Sequence, residues 1–229
     1  MIEIRPSQER GHTKLSWLDS RFTFSFDQYY DPKHVQFRSL RVINEDIVAP
    51  SSGFPTHPHR DMEILTWILA GALEHRDTTG GSGILRPGEL QHMTAGRGVR
   101  HSEFNPSSKD PAHLLQIWIL PERKGLDPSY EQLAFADADL RGRFSLVAGP
   151  HAPVTIHQDA DLFIARLDRG AAAQHSLEAG RHAWLQVARG EVQLNENKLK
   201  AGDGAAVSEE TEIRVQADRP SELLLFDLA

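Results

Sequence analysis

The stretch Ile64-Leu65-Thr66-Trp67-Ile68-Leu69-Ala70-Gly71-Ala72-Leu73-Glu74-His75 reads as a strand, a glycine turn and a second strand. A second turn, Arg86-Pro87-Gly88-Glu89, follows it. The same order recurs downstream in Trp184-Leu185-Gln186-Val187-Ala188-Arg189-Gly190-Glu191-Val192-Gln193-Leu194, again followed by a glycine–acid turn, Lys200-Ala201-Gly202-Asp203. Any two hairpins share glycine and apolar residues. The second glycine–acid signal at a similar distance favours a duplication. The first copy is longer because of Thr79-Gly80-Gly81-Ser82-Gly83.

Working outward, the other apolar runs are also of strand length. They include Ser39–Ile43, Leu114–Leu120 and Glu222–Phe226, each bounded by Gly, Pro, Asn or Asp. Almost no segment carries a 3.6-residue stripe, and Pro128–Leu140 is the best helical candidate. The reading is all-β, with short antiparallel strands closed as a barrel or sandwich. Two β-barrel lobes are expected over 1–135 and 145–229. The link falls near Leu140–Pro153, where Gly142, Gly149, Pro150 and Pro153 interrupt the pattern.

Composition narrows the chemistry. The 229 residues include no cysteine, which excludes disulfides, thiolate metal sites and cysteine nucleophiles. Any metal must be held by nitrogen and oxygen. The formal net charge of −7 disfavours direct nucleic-acid binding. No apolar run is long enough for a membrane helix, and Met1–Arg5 carries no apolar leader, so the expected location is the cytoplasm. Twelve histidines are an excess that needs a place to go.

His57-Pro58-His59 and His101-Ser102-Glu103 are the only His-x-His and His-x-Glu in the chain. Residues i and i+2 of a strand project to one face. Two such strands lining one barrel would bring three imidazoles and a carboxylate to a common point. That donor set suits a divalent first-row metal with two positions left open, and it fits Ca or Mg poorly.

The pattern resembles the cupin family. Its first motif is read here as Gly53, His57, His59, Glu63 and Gly71. Its second is read as Gly88, Gly98, His101 and Asn105, with Gly96 in place of the usual proline. More narrowly, Thr56–Glu63, Leu73–Asp77, Ala95–Asn105, Trp17–Phe26 and Tyr29–Pro32 resemble bacterial pirin-like proteins, and the likeness spans the chain. It implies two cupin jelly-roll (double-stranded β-helix) barrels in one chain. It also implies that His57, His59, His101 and Glu103 are the metal ligands, with Fe(2+) the first expectation and Ni, Mn, Co, Cu or Zn also compatible. Glu63, which follows His59 by four residues with the same strand parity and is a ligand in many other cupins, becomes a neighbour of the ligands or an alternate. In the second lobe the aligned positions are Ser176, Glu178, Val215 and Ala217, which leaves no ligand set.

The resemblance further implies quercetin 2,3-dioxygenase activity. A flavonol would chelate the metal, Glu103 would accept its hydroxyl proton, and O2 would cleave the ring to a depside and CO. The alternative it implies is an iron-dependent, redox-sensing regulatory protein that binds a transcription factor or metabolic enzyme. Monomers are expected. Outside the motifs the bland readings are preferred. His75 and His92 are expected in exposed turns, and the aromatic run Trp17–Tyr30 in the barrel core. Arg97 and Arg100 are read equally as contacts for an acidic substrate or as solvent-facing residues. Gln116 and Trp118 are expected to face the cavity on one side of their strand.

Overall fold

The computed structural model describes residues 1–229. In chain order the strands are β1 (Ile2–Arg5), β2 (Gly11–Lys14), β3 (Leu18–Phe22), β4 (Leu40–Val48), β5 (Gly53–His59), β6 (Glu63–Ala70), β7 (Leu73–Asp77), β8 (Ser82–Leu85), β9 (Glu89–Thr94), β10 (Val99–Phe104), β11 (Ala112–Ile119) and β12 (Ser129–Ala134). After a single helical turn, α1 (Asp137–Leu140), come β13 (Ser145–Gly149), β14 (Val154–Thr155), β15 (Ala160–Leu167), β16 (Ala172–Ser176), β17 (His182–Arg189), β18 (Glu191–Leu194), β19 (Asn197–Lys200), β20 (Gly204–Val207), β21 (Glu212–Ala217) and β22 (Ser221–Leu228). The all-β reading holds. No helix is long and apolar enough to cross a membrane.

The chain forms two units. One comprises 11–135 and 154–158, the other 1–10, 136–153 and 159–229. The first has a large sheet ordered β12-β9-β6-β11-β4-β3-β2 and a small one ordered β5-β10-β7-β8. In the second, β1-β20-β17-β22-β15-β13 form a large sheet and β16-β21-β18-β19 a small one. Strand for strand the two orders correspond, so the repeat seen in sequence is a repeat of topology. Each barrel folds one sheet over the other, as cupins do.

The expected boundary at residue 1 differs from this division. Ile2–Arg5 pair with Gly204–Val207, and Ile2 and Ile4 pack against the aliphatic core of the second unit. Alternating apolar residues need a sheet face to cover them, and the free edge of β20 supplies one. In the first unit β12 occupies the equivalent edge, on β9. That pairing also overrides the helix expected over Pro128–Leu140, of which only Asp137–Leu140 is helical.

Inside the first barrel, β6 and β11 alternate in the same way. Ile68 and Leu114 join one apolar cluster, and Ile64 and Trp118 join another. Thr66 and Gln116 lie between them. This polar level is where the small sheet delivers its histidines.

Two glycines set the approach of the small-sheet strands. A Cβ at Gly53 would lie 2.1 Å from the Glu103 carbonyl oxygen and 2.5 Å from Phe104 Cα, so only glycine lets β5 close on β10. Gly96 has φ +45°, which proline cannot adopt, and this explains the departure from the usual motif. We expect Gly53→Ala to destabilise the protein by about 1–3 kcal/mol through forced separation of these strands. Thermal unfolding reads this as roughly 2–4 °C per kcal/mol for a chain of this size.

Candidate metal centre

Strands β5 and β10 pair antiparallel with His57 opposite His101, and the register shifts between His101 and Glu103. On its other side β10 pairs with β7, setting Glu103 opposite His75. The i, i+2 spacing turns His57 and His59 inward together, and the pairing brings His101 to them. The ring centroids lie 4.7 Å apart for His57–His59, 4.5 Å for His57–His101 and 4.7 Å for His59–His101. One ring nitrogen from each of the three falls within 4.8 Å of the others.

The donor chemistry fits a cation. His57 Nδ1 lies 2.8 Å from the Pro55 carbonyl oxygen, which can only accept, so His57 donates there and keeps a lone pair on Nε2. That Nε2 faces His101 Nε2 at 3.0 Å. Burial, reinforced by His101 and His57, pushes His59 down to about 3. Burial, then His57 and His75, pushes His101 down to about 3 as well. Converging imidazoles of which His59 and His101 are held neutral have the chemistry to hold a metal.

Glu103 is buried, and both its oxygens accept from Gln116 Nε2, at 3.1 and 3.0 Å. Thr66 Oγ1 donates to Gln116 Oε1 at 3.0 Å, which fixes the amide so that its N–H groups face Glu103. The carboxylate also forms a trio within 4.8 Å with His101 and His75.

His57, His59 and Glu103 open onto a cavity of about 540 Å³. Trp17, Phe22, Phe26, Phe54 and Trp118 wall it, and Gln116 lines it beside Trp118, as their shared strand parity requires. The aromatic run thus serves the cavity wall as well as the packing, because β3 and the turn after it stand at the barrel mouth. Asp46 also lines this space. Burial, with the nearby charges of Glu103 and Glu45, pushes it up to about 7 against a hydrogen bond from Ser20. No motif marked Asp46. Its sequence signal is its place in the alternation Leu40, Val42, Asn44, Asp46, Val48, the buried face of β4.

Two expectations are corrected. His75 and His92 are fully buried, not in exposed turns, because β7 and β9 are interior strands with carboxylate partners waiting. Glu63 does not share the facing of His59. The turn Arg60–Met62, with Asp61 at φ 50°, separates β5 from β6 and moves the chain to the other sheet. Glu63 instead accepts from His92 at 2.9 Å, Thr94 at 3.1 Å and the His157 backbone N–H at 3.1 Å. Of the two readings of Arg97 and Arg100 the solvent-facing one fits: Arg97 pairs on the surface with Asp127, and Arg100 is exposed, on the opposite strand parity to His101.

Paired barrels with inward histidines on the small sheet of one define a cupin. Within that class the chain belongs to the pirin family. The pirin family model matches residues 3–119, and the model for the quercetinase C-terminal cupin domain matches 146–228. Among curated relatives, quercetin 2,3-dioxygenase of Escherichia coli (strain K12) is 47% identical, covering 100% of this chain and 99% of that protein. A putative quercetin 2,3-dioxygenase of Pseudomonas aeruginosa is 41% identical, covering 100% of both. The crystal structure of the bacterial pirin YhhW of Escherichia coli in complex with nickel(II) superposes with a TM-score of 0.94 at 46% identity, covering 100% of this chain and 99% of that one.

The Glu63–His92 contact carries a pH signature. Burial alone would lower His92, but bonds to Glu131 and Glu63 outweigh it and hold its pKa above 6.5. Burial alone would raise Glu63, but His92, the His157 N–H and Thr94 hold it below 4.5. The pair therefore stabilises fully between those two values. The contribution is lost on acidification as Glu63 takes a proton, and above pH 6.5 as His92 loses one. Melting temperatures across pH should show this maximum in the wild type and a flatter profile in His92→Gln.

Proposed function

We propose that this chain is a metal-dependent dioxygenase that cleaves flavonols such as quercetin with O2, giving a depside and carbon monoxide. In this reading His57, His59, His101 and Glu103 hold one divalent first-row metal. Iron(II) is the first candidate, and nickel(II) is the metal recorded in the related pirin. The observation that carries the reading is the convergence of three imidazoles, with the buried carboxylate of Glu103 close to one of them, His101, beside an aromatic-walled cavity of about 540 Å³. That volume lies within the usual range for enclosing a small ligand.

When bound, the metal supplies Lewis acidity and a path for electrons between substrate and O2. The protein's own groups do the rest. The flat faces of Trp17, Phe22, Phe26 and Trp118 suit a planar polyphenol and keep water from it. Glu103, with its oxygens held by Gln116, accepts the flavonol 3-hydroxyl proton. Asp46, titrating near neutrality within the same cavity, can hold a second proton beside it.

The test is aerobic loss of quercetin absorbance by the iron(II)-loaded protein, with His101→Ala as control. We expect turnover in the wild type and a loss of at least ~100-fold in the variant, the effect of removing a ligand from a metal centre that carries the chemistry. A metal-replete protein that leaves quercetin intact with Fe, Ni, Mn, Co and Cu would overturn the proposal. The site would then be read as the redox-sensing element of a regulatory protein.

A further inference from the structure

We propose that Asp77 and His75 form a positioning relay that sets the tautomer of His101 and so aims its Nε2 lone pair at the metal site. The proposal rests on reading His101 as a ligand, and it does not depend on the substrate.

The chain of contacts is short and closed to water. His75 Nε2 lies 2.9 Å from Asp77 Oδ2, and neither side chain is exposed. The other oxygen, Asp77 Oδ1, accepts three hydrogen bonds, from Thr79 N at 2.7 Å, Thr79 Oγ1 at 2.6 Å and Gly81 N at 3.0 Å. A carboxylate so placed offers His75 only an acceptor, and His75 must put its proton on Nε2. Its Nδ1 then has a lone pair. Gln91 Nε2 donates to that atom at 3.1 Å, and His101 Nδ1 stands 3.4 Å from it. His101 therefore carries its proton on Nδ1 and presents a bare Nε2.

The result is two unprotonated nitrogens, on His101 and His57, facing each other at 3.0 Å. Lone pairs repel at that distance, and a cation beside both removes the conflict. Tyr130 stacks on His75 with centroids 4.7 Å apart and planes 22° apart, which holds the intermediate ring in plane. A direct ligand role for His75, in the trio with His101 and Glu103, is the competing geometry. It would require the Nδ1 that already accepts from Gln91, so the contacts favour the relay.

Two readouts on the full chain test this. One is nickel(II) affinity by chelator competition. The other is the tautomer of His101 in metal-stripped protein, from long-range nitrogen–proton correlation. The wild type should bind one equivalent at this site and show His101 protonated on Nδ1. His75→Leu should weaken nickel by ~10–100-fold, the usual effect of losing a ligand's hydrogen-bond partner. His75→Asn, whose Oδ1 can stand in for the accepting Nδ1, should recover most of that loss. Asp77→Asn, able to donate to His75, should shift His101 toward the Nε2–H form and weaken nickel to a similar degree. A merely structural role would lower the melting temperature without moving the tautomer. An unchanged tautomer and affinity in His75→Leu and Asp77→Asn would overturn the relay. So would two equivalents in the wild type falling to one in His75→Leu. If the wild type binds no nickel, the ligand reading fails instead, and the tautomer still decides the relay.

Discussion

The register that sets His57 opposite His101 is the contact on which the site depends. Sliding β5 by one residue along β10 would turn both of its histidines out of the barrel, because side chains alternate with period two. Several features guard that register. Gly53 lets the two backbones meet where a Cβ would collide. The register shift puts the extra residue in β5, between Phe54 and His57, so β10 keeps its regular alternation and holds Glu103 on the same side as His101. The pairing of β10 with β7 on its far edge brings His75 and Asp77 under the same ligand set.

A polar level inside a barrel is expensive unless each group is answered. Thr66, Gln91 and Gln116 project from the large sheet between two apolar clusters, toward His75 and Glu103. The second barrel shows what the fold does without such a level. With Gly190 set on Gly71, Thr66 aligns with Leu185, which lies in an aliphatic core with Val187, Val215, Ala217, Leu223 and Leu225. The same strand order thus supports a polar, histidine-bearing interior in one unit and an aliphatic one in the other.

Much of this was legible in the sequence, and the failures have a common cause. Strand-length apolar runs and repeated glycine–acid turns report local geometry, which is why the all-β duplication could be read directly. The inward pairing of His57 with His59 follows from i, i+2 parity within one strand. Parity stopped being a guide across the turn at Asp61, and Glu63 was displaced accordingly. His75, His92 and Asp46 were missed because their burial is decided by the sheet opposite, and no motif marks it. Ser129–Ala134 has no strong strand pattern and extends because β9 offers it an edge. Ile2–Arg5 joins the distant β20 for the same reason.

The central claim is that four residues from two adjacent strands hold one metal. Crystallising the metal-loaded protein and collecting anomalous diffraction at the metal's absorption edge tests it most directly. A single peak is expected in the first barrel, about 2.0–2.2 Å from one nitrogen each of His57, His59 and His101 and from an oxygen of Glu103. A peak bound by Glu63, or none near the three imidazoles in metal-replete crystals, would contradict it.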